Sequence, residues 1–171
     1  MRLRLLERVA LALHDALSWD ARPLTADERE DARSVFGDPI DLEPVRLVTT
    51  WIANSPVALG NTIRVGGDGS IERSTLIHEL AHVWQFQSSG TSYISDSVIQ
   101  QLSSLIRTGS RREAYCVKPE DLTAASIADL PVEKQAMVIE TYYSLPAARA
   151  DARYSRLIEG VRGGGQRTMR K

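Results

Sequence analysis

Two of the chain's three histidines, His78 and His82, lie four residues apart in a segment that is apolar almost throughout. Apolar residues on every side predict a helix, spanning residues 71–88, that is buried in the middle of a domain, and Gly90 is suited to end it. Residues four apart lie on the same face of a helix, so both imidazoles could reach one metal ion. We therefore expect the rest of the domain to pack around this helix.

Glu79 follows His78 directly and completes the pattern His-Glu-x-x-His, which is typical of zinc hydrolases. Neutral imidazole is a good zinc ligand, and a fourth coordination position can stay open for water. The metal lowers the pKa of that water towards roughly 7, and a nearby glutamate can take its proton as it attacks a carbonyl. The competing interpretation is a pair of core histidines that matches the motif by chance.

The composition is that of one soluble globular domain. The chain has 171 residues, of which 43% are apolar and 25% charged, enough for a substantial core without crosslinks. The net charge of −1 gives no general attraction to nucleic acid or membranes, and no stretch is apolar for long enough to cross a bilayer. Cys116 is the single cysteine, which excludes an internal disulfide and an all-cysteine zinc site.

The start of the chain resembles a signal peptide only superficially, because Glu7 and Arg8 interrupt it and its uncharged run is short. The spacing of its apolar residues predicts an amphipathic helix over residues 1–20 instead. Without a signal peptide, we expect the protein to be cytoplasmic in the cell that makes it. Export would then require a dedicated secretion machine.

The remaining pattern predicts an α+β fold that is mostly helical, with a small sheet packed beside the motif helix. A single domain is expected over residues 1–162, with helix 1–20 as an appendage and 163–171 as a flexible, basic, glycine-rich tail. Besides the motif helix, further helices are predicted at 25–36, 95–109, 132–144 and 146–159, and strands at 45–51 and 59–65.

A catalytic zinc site of this type needs a third protein ligand. A third histidine is not available at the usual spacing, because Ser88 occupies that position, and His14 lies far upstream. We therefore expect a carboxylate from downstream. The candidates are Glu113, Glu133 and Glu140, followed by Asp96, Asp121 and Asp129, and the residues alone leave this choice open.

Residues 76–87 resemble the core of small bacterial zincin-like metallopeptidases of the gluzincin type. More narrowly, they are similar to a group of Vgr-related proteins associated with contractile, type VI-like secretion genes. The similarity extends to residues 24–41, 45–47, 60–63 and 133–143, and so includes most of residues 24–145. The His-Glu-x-x-His motif is specific for zincins, whereas the other stretches are less so.

The resemblance implies a zincin fold, a Zn²⁺ cofactor and Glu133 as the third ligand beside His78 and His82. It also implies that the strand containing Asn61, Thr62 and Ile63 borders the substrate cleft. A substrate peptide could then add to an exposed edge strand near Ile63 through backbone hydrogen bonds.

The resemblance further suggests that Tyr142 or Tyr143 stabilises an oxyanion, as a tyrosine does in some zincins, although core packing is the competing role for each. The leading interpretation is a zinc metallopeptidase with Glu79 as general base, acting on a peptide or protein substrate. A secretion apparatus is the expected partner, with neither nucleic acid nor membrane. The alternatives are a peptidoglycan amide hydrolase and a non-catalytic accessory protein that keeps the zincin scaffold for binding.

Overall fold

The structure is a computed structural model that describes residues 21–50, 55–89 and 117–163. The predicted helices at 1–20 and 95–109, the tail beyond Gly163, and the candidate ligands Glu113 and Asp96 lie outside the described residues, as does Cys116.

A mixed four-stranded sheet is formed by β1 (Ala21–Pro23), β2 (Arg46–Thr49), β3 (Val57–Leu59) and β4 (Thr62–Val65), in the order β1-β2-β4-β3. Strands β2 and β4 are parallel, whereas the two outer pairs are antiparallel. The single strand predicted at 59–65 is wrong, because the chain reverses there between β3 and β4. Gly60 occupies this turn with φ of 61°, a conformation that glycine adopts at little cost.

The described residues contain five α-helices, the first of which lies between β1 and β2. They are α1 (Ala26–Phe36), α2 (Arg73–Ser89), α3 (Val132–Ser144), α4 (Pro146–Ala150) and α5 (Ala152–Arg162). Helix α1 begins with a capping box between Thr25 and Glu28. The predicted bounds of α1, α2 and α3 agree with the structure to within two residues. The last predicted helix is instead divided at Asp151, whose side chain caps α5 by accepting from the Arg153 N–H.

Helix α2 lies at the centre of the described structure and packs against α3, α1 and the strands β3 and β4. Most of its apolar side chains are buried, among them Ile77, Leu80 and Trp84, which explains why the segment is apolar on nearly every side. The α+β architecture with a small sheet beside the motif helix is thus confirmed. Within the described ranges, no helix combines the length and apolar character that crossing a membrane requires.

Candidate metal centre

Helices α2 and α3 run antiparallel, so residues early in α2 meet residues late in α3. His78 contacts Glu140 near the end of α3, whereas Gln85, two turns further along α2, contacts Val132 at its start. Helix α3 begins directly after Pro131. This start places Glu133 in the first turn of α3, opposite the two histidines of α2.

His78, His82 and Glu133 form a compact cluster. The Glu133 Oε2 atom lies 3.6 Å from Nε2 of His78 and 3.6 Å from Nε2 of His82, and one potential ligand atom from each residue lies within 4.8 Å of the others. The two rings are 5.1 Å apart and inclined at 75°. Both Nε2 atoms therefore face the same carboxylate oxygen.

These distances fit one small cation. Ligand atoms that bind zinc at ~2.0–2.1 Å in a tetrahedron are separated by roughly 3.4 Å, close to both measured separations from Glu133. Two imidazoles and one carboxylate are also the protein ligands of a known class of catalytic zinc site. The residues present therefore fit a zinc ion in both chemistry and spacing.

Each histidine makes a second hydrogen bond through its other ring nitrogen. Nδ1 of His78 lies 3.0 Å from Oε2 of Glu140, and Nδ1 of His82 lies 2.9 Å from Oε1 of Gln85. Both partner atoms are acceptors, so both Nδ1 atoms carry the proton and donate it. In the neutral rings the Nε2 lone pairs then point towards Glu133, the arrangement that metal-binding histidines adopt.

Two lone pairs and a carboxylate that converge in this way need a positive charge between them. A metal ion can supply it, as can a proton on His78 in the metal-free protein. Burial lowers the pKa of His78, but the nearby Glu133 carboxylate and the hydrogen bond to Glu140 outweigh it and raise that pKa to about 10. Burial likewise raises the pKa of Glu133, but the attraction of the two facing imidazoles, each 3.6 Å away, brings it well below its usual value.

Glu79 lies beside this cluster with 7% of its surface exposed. Burial raises the pKa of its carboxyl above the usual value. The neighbouring imidazoles and a hydrogen bond from the Ala58 backbone N–H on β3 act in the opposite direction without cancelling the rise. A glutamate with a raised pKa is a better base near neutral pH than an exposed one.

Glu140, the competing third ligand, contacts Nδ1 of His78 rather than the point where the Nε2 atoms converge. Asp121 accepts a hydrogen bond from Lys134 at 2.8 Å, and Asp129 caps a short 3₁₀ turn by bonding the Ser126 N–H. Among the described candidates, only Glu133 joins the two histidines in a cluster of potential ligand atoms.

Tyr143 lies among charged side chains, and its suggested role in catalysis stays a prediction. Its hydroxyl interacts with Asp31 of α1 and with Arg73 at the start of α2, and the Arg149 guanidinium covers its ring at 5.6 Å. These contacts connect Tyr143 to the ion pairs that Arg73 forms with Asp27 and Asp31. Tyr142 is partly buried and packs against the core, so its predicted role in catalysis stays a prediction.

The strand that contains Ile63 is not itself an edge strand, because β4 pairs with β2 on one side and β3 on the other. The Ile63 side chain is fully buried and Thr62 is nearly so. Asn61, in the preceding turn, accepts a hydrogen bond from Gln87 of α2 at 2.9 Å. The edge of the sheet nearest to α2 is β3, and the role of residues 61–63 at a cleft stays a prediction.

Sequence reasoning missed Gln85 and Gln135, two buried amides in the α2–α3 interface. Their positions in the sequence could have indicated them, because Gln85 lies one turn after His82 and Gln135 lies two residues after Glu133. A polar side chain at a buried position of an apolar helix requires a hydrogen-bonding partner.

The fold and the cluster together define an α+β domain whose central helix presents two histidines and a facing glutamate as a candidate metal centre. No protein-family model matches the chain. The chain is similar to the type VI secretion system spike protein VgrG2b of Pseudomonas aeruginosa, with 26% identity over 157 residues. That alignment includes 81% of this chain but only 15% of the length of the spike protein.

A solved structure gives a consistent result. The effector domain of Pseudomonas aeruginosa VgrG2b matches with a TM-score of 0.56 and 24% identity, over 91% of this chain and 93% of that domain. At this identity the match establishes a shared fold. Both comparisons support the resemblance to Vgr-related proteins that the sequence indicated.

Proposed function

We propose that this chain is a zinc-dependent peptidase that acts as a secretion-associated effector. His78, His82 and Glu133 would hold the ion, and Glu79 would act as general base and then as general acid. One observation carries the proposal: both Nε2 atoms face the same oxygen of Glu133 at 3.6 Å, while both Nδ1 atoms donate to acceptors.

Bound zinc would supply a Lewis acid that lowers the pKa of water to roughly 7 and polarises a carbonyl. Glu79 is suited to take up the proton of the attacking water, because burial has raised its pKa. The same carboxyl can return that proton to the leaving amine. The Ala58 N–H helps to hold the carboxylate against β3, and the partial exposure of the His78 and Glu133 side chains, 14% and 30%, leaves the cluster open to solvent.

The proposed role as an effector rests on the similarity to VgrG2b and to its effector domain. Those proteins supply a precedent for this fold within a secretion spike, so export of this chain by a type VI-like machine is part of the proposal. The substrate is proposed to be a peptide or protein, and an amide of peptidoglycan is the alternative that the same chemistry would serve.

Metal analysis and paired variants test the proposal. Purified protein should contain about one zinc per chain, lost in His78→Ala and in Glu133→Ala. His14→Ala, which removes the histidine outside the motif, should keep the metal and serves as the matched control. Zinc retained in Glu133→Ala but lost in Glu140→Ala would show that the third ligand is misassigned.

Catalysis is tested with Glu79→Gln. This variant should fold and bind zinc but lose at least 10²-fold in peptide hydrolysis, the usual contribution of a general base. New protein N-termini, compared between cells that express wild type and Glu79→Gln, would identify the substrate. A Glu79→Gln protein as active as wild type would overturn the peptidase and leave the accessory binding protein.

A further inference from the structure

A chain of buried amides connects His82 to the start of α3. The Gln85 Oε1 atom lies 2.9 Å from Nδ1 of His82, and its Nε2 atom donates to the Val132 carbonyl oxygen and to Gln135 Oε1, each at 3.0 Å. Gln135 Nε2 in turn donates to the Leu130 carbonyl oxygen at 2.8 Å. Gln85 is fully buried, and Gln135 is 5% exposed.

The direction of every hydrogen bond in this chain follows from its two backbone carbonyls. Carbonyl oxygens only accept, so the amide nitrogen of Gln135 must face Leu130 and that of Gln85 must face Val132. The Gln85 oxygen is then left to face His82. His82 must therefore donate from Nδ1, so that in the neutral ring its Nε2 carries the lone pair that a metal ligand needs.

The same chain fixes the position of the third ligand. Its contacts on α3 are made by Leu130, Val132 and Gln135, residues that surround Glu133 in sequence. The orientation of the His82 ring and the start of α3 are thus held by one set of hydrogen bonds. A shift of α3 along α2 would disturb both at once.

We propose that Gln85, supported by Gln135, is the positioning residue of the metal centre: it fixes the tautomer of His82 and aligns that ring with Glu133. This inference rests on the proposed zinc site. Neither amide touches the reacting atoms, so the expected effect is on metal affinity. Partners of this kind typically contribute 10–100-fold to it.

The central measurement is the zinc dissociation constant, determined by competition with a chelator, in Gln85→Met and Gln87→Met. Gln87 provides the matched control because it lies on the same helix and also makes hydrogen bonds, with Asp41 and Asn61, but none with a histidine. Gln85→Met should bind zinc 10–100-fold more weakly than wild type. Gln87→Met should bind it as tightly as wild type.

Gln85→Glu separates positioning from structural support. A carboxylate still accepts from Nδ1 of His82, but it cannot donate to Val132 or Gln135 and places a charge beside their oxygens. Zinc affinity should therefore recover above that of Gln85→Met, while the metal-free protein becomes less stable than Gln85→Met. Gln135→Met, which leaves the Gln85 bond to Val132 intact, should lose less affinity than Gln85→Met and provides the test if Gln85→Met does not fold.

The outcomes distinguish this inference from the proposed function. A wild-type protein that binds no zinc would overturn both. Tight zinc binding by wild type together with equal affinities for the Gln85 and Gln87 variants would overturn the positioning role alone. The positioning role would also be overturned if the less stable variant always bound zinc more weakly, so that Gln85→Glu bound it more weakly than Gln85→Met.

Discussion

The two histidines of the candidate site are supported in different ways. His78 lies at the more open end, where its partner Glu140 keeps 25% of its side chain exposed. His82 lies at the buried end, 4% exposed, and its partner Gln85 is fully buried. The open end uses a carboxylate, whose charge water can still solvate. The buried end uses neutral amides, because an unpaired charge there would carry a large desolvation cost.

The largest predicted effect comes from placing a charge at the buried end. In the metal-free protein, Gln85→Glu should lower the free energy of unfolding by about 3–5 kcal/mol, the usual cost of an uncompensated buried charge. Glu140→Gln at the open end should change it by less than about 1 kcal/mol, since the amide oxygen can still accept from His78. Urea unfolding of both variants measures the difference. Equal losses would show that the two ends are equally buried in solution.

Metal binding should stabilise the fold through both ends together. With free zinc at ~100 times its dissociation constant, the free energy of unfolding should rise by about 2.7 kcal/mol, provided that the unfolded chain binds no zinc. Thermal unfolding with zinc and after chelation measures this gain. Glu133→Ala provides the control, because without the shared carboxylate the added zinc should have little effect. An equal gain in that variant would place the ion elsewhere.

A smaller effect is expected from the hydrogen bond at the open end. Glu140→Gln keeps an acceptor for Nδ1 of His78 but removes the negative charge that makes the ring a better ligand. Zinc affinity should therefore fall by about 10-fold, with little change in the stability of the metal-free protein. A chelator competition assay, run beside Gln85→Met, would compare the two ends directly. Complete loss of zinc in Glu140→Gln would make Glu140 a ligand.

The sequence could predict the parts of the site that depend on local spacing, but not those that depend on how the helices pack. The helical spacing of His78 and His82 and the apolar residues around them sufficed to place the motif on a buried central helix. Glu133 could not be chosen over Glu140 by spacing, because the choice depends on the antiparallel alignment of α3 with α2. The hairpin at Gly60 was missed because residues 59–65 continue a strand-like pattern through a two-residue turn.

The buried amides were the least predictable part of the site. Glutamine on a helix is usually a solvated surface residue. Gln85 and Gln135 lie 50 residues apart in the sequence, and the residues around them do not indicate that the two side chains contact each other. The suggestion for Tyr143 came from the resemblance to zincins and not from its local sequence. Its interactions with Asp31 and Arg73 depend on the tertiary structure and could not be predicted from the sequence.

The smallest predicted effect concerns a charge far from the metal centre. Glu28 caps α1 and pairs with Arg22 at 2.8 Å. The hydrogen bond from Arg22 lowers the pKa of Glu28, more than burial raises it. A lowered pKa in the folded state means that the stabilisation is present above the unfolded value of roughly 4.3 and is lost as the pH falls through the folded value.

Glu28→Gln should therefore cost up to about 1 kcal/mol of unfolding free energy at pH 7, because it removes the ion pair with Arg22 although glutamine can still complete the capping box, and this difference should disappear in acid below the folded pKa of Glu28. Unfolding in urea across this pH range measures it. Zinc affinity at pH 7 should equal that of wild type, because the capping box has no contact with the histidines. A loss of zinc in this variant would mean that the metal centre responds to general destabilisation. The affinity losses of the Gln85 and Glu140 variants could then not be assigned to their hydrogen bonds with the histidines.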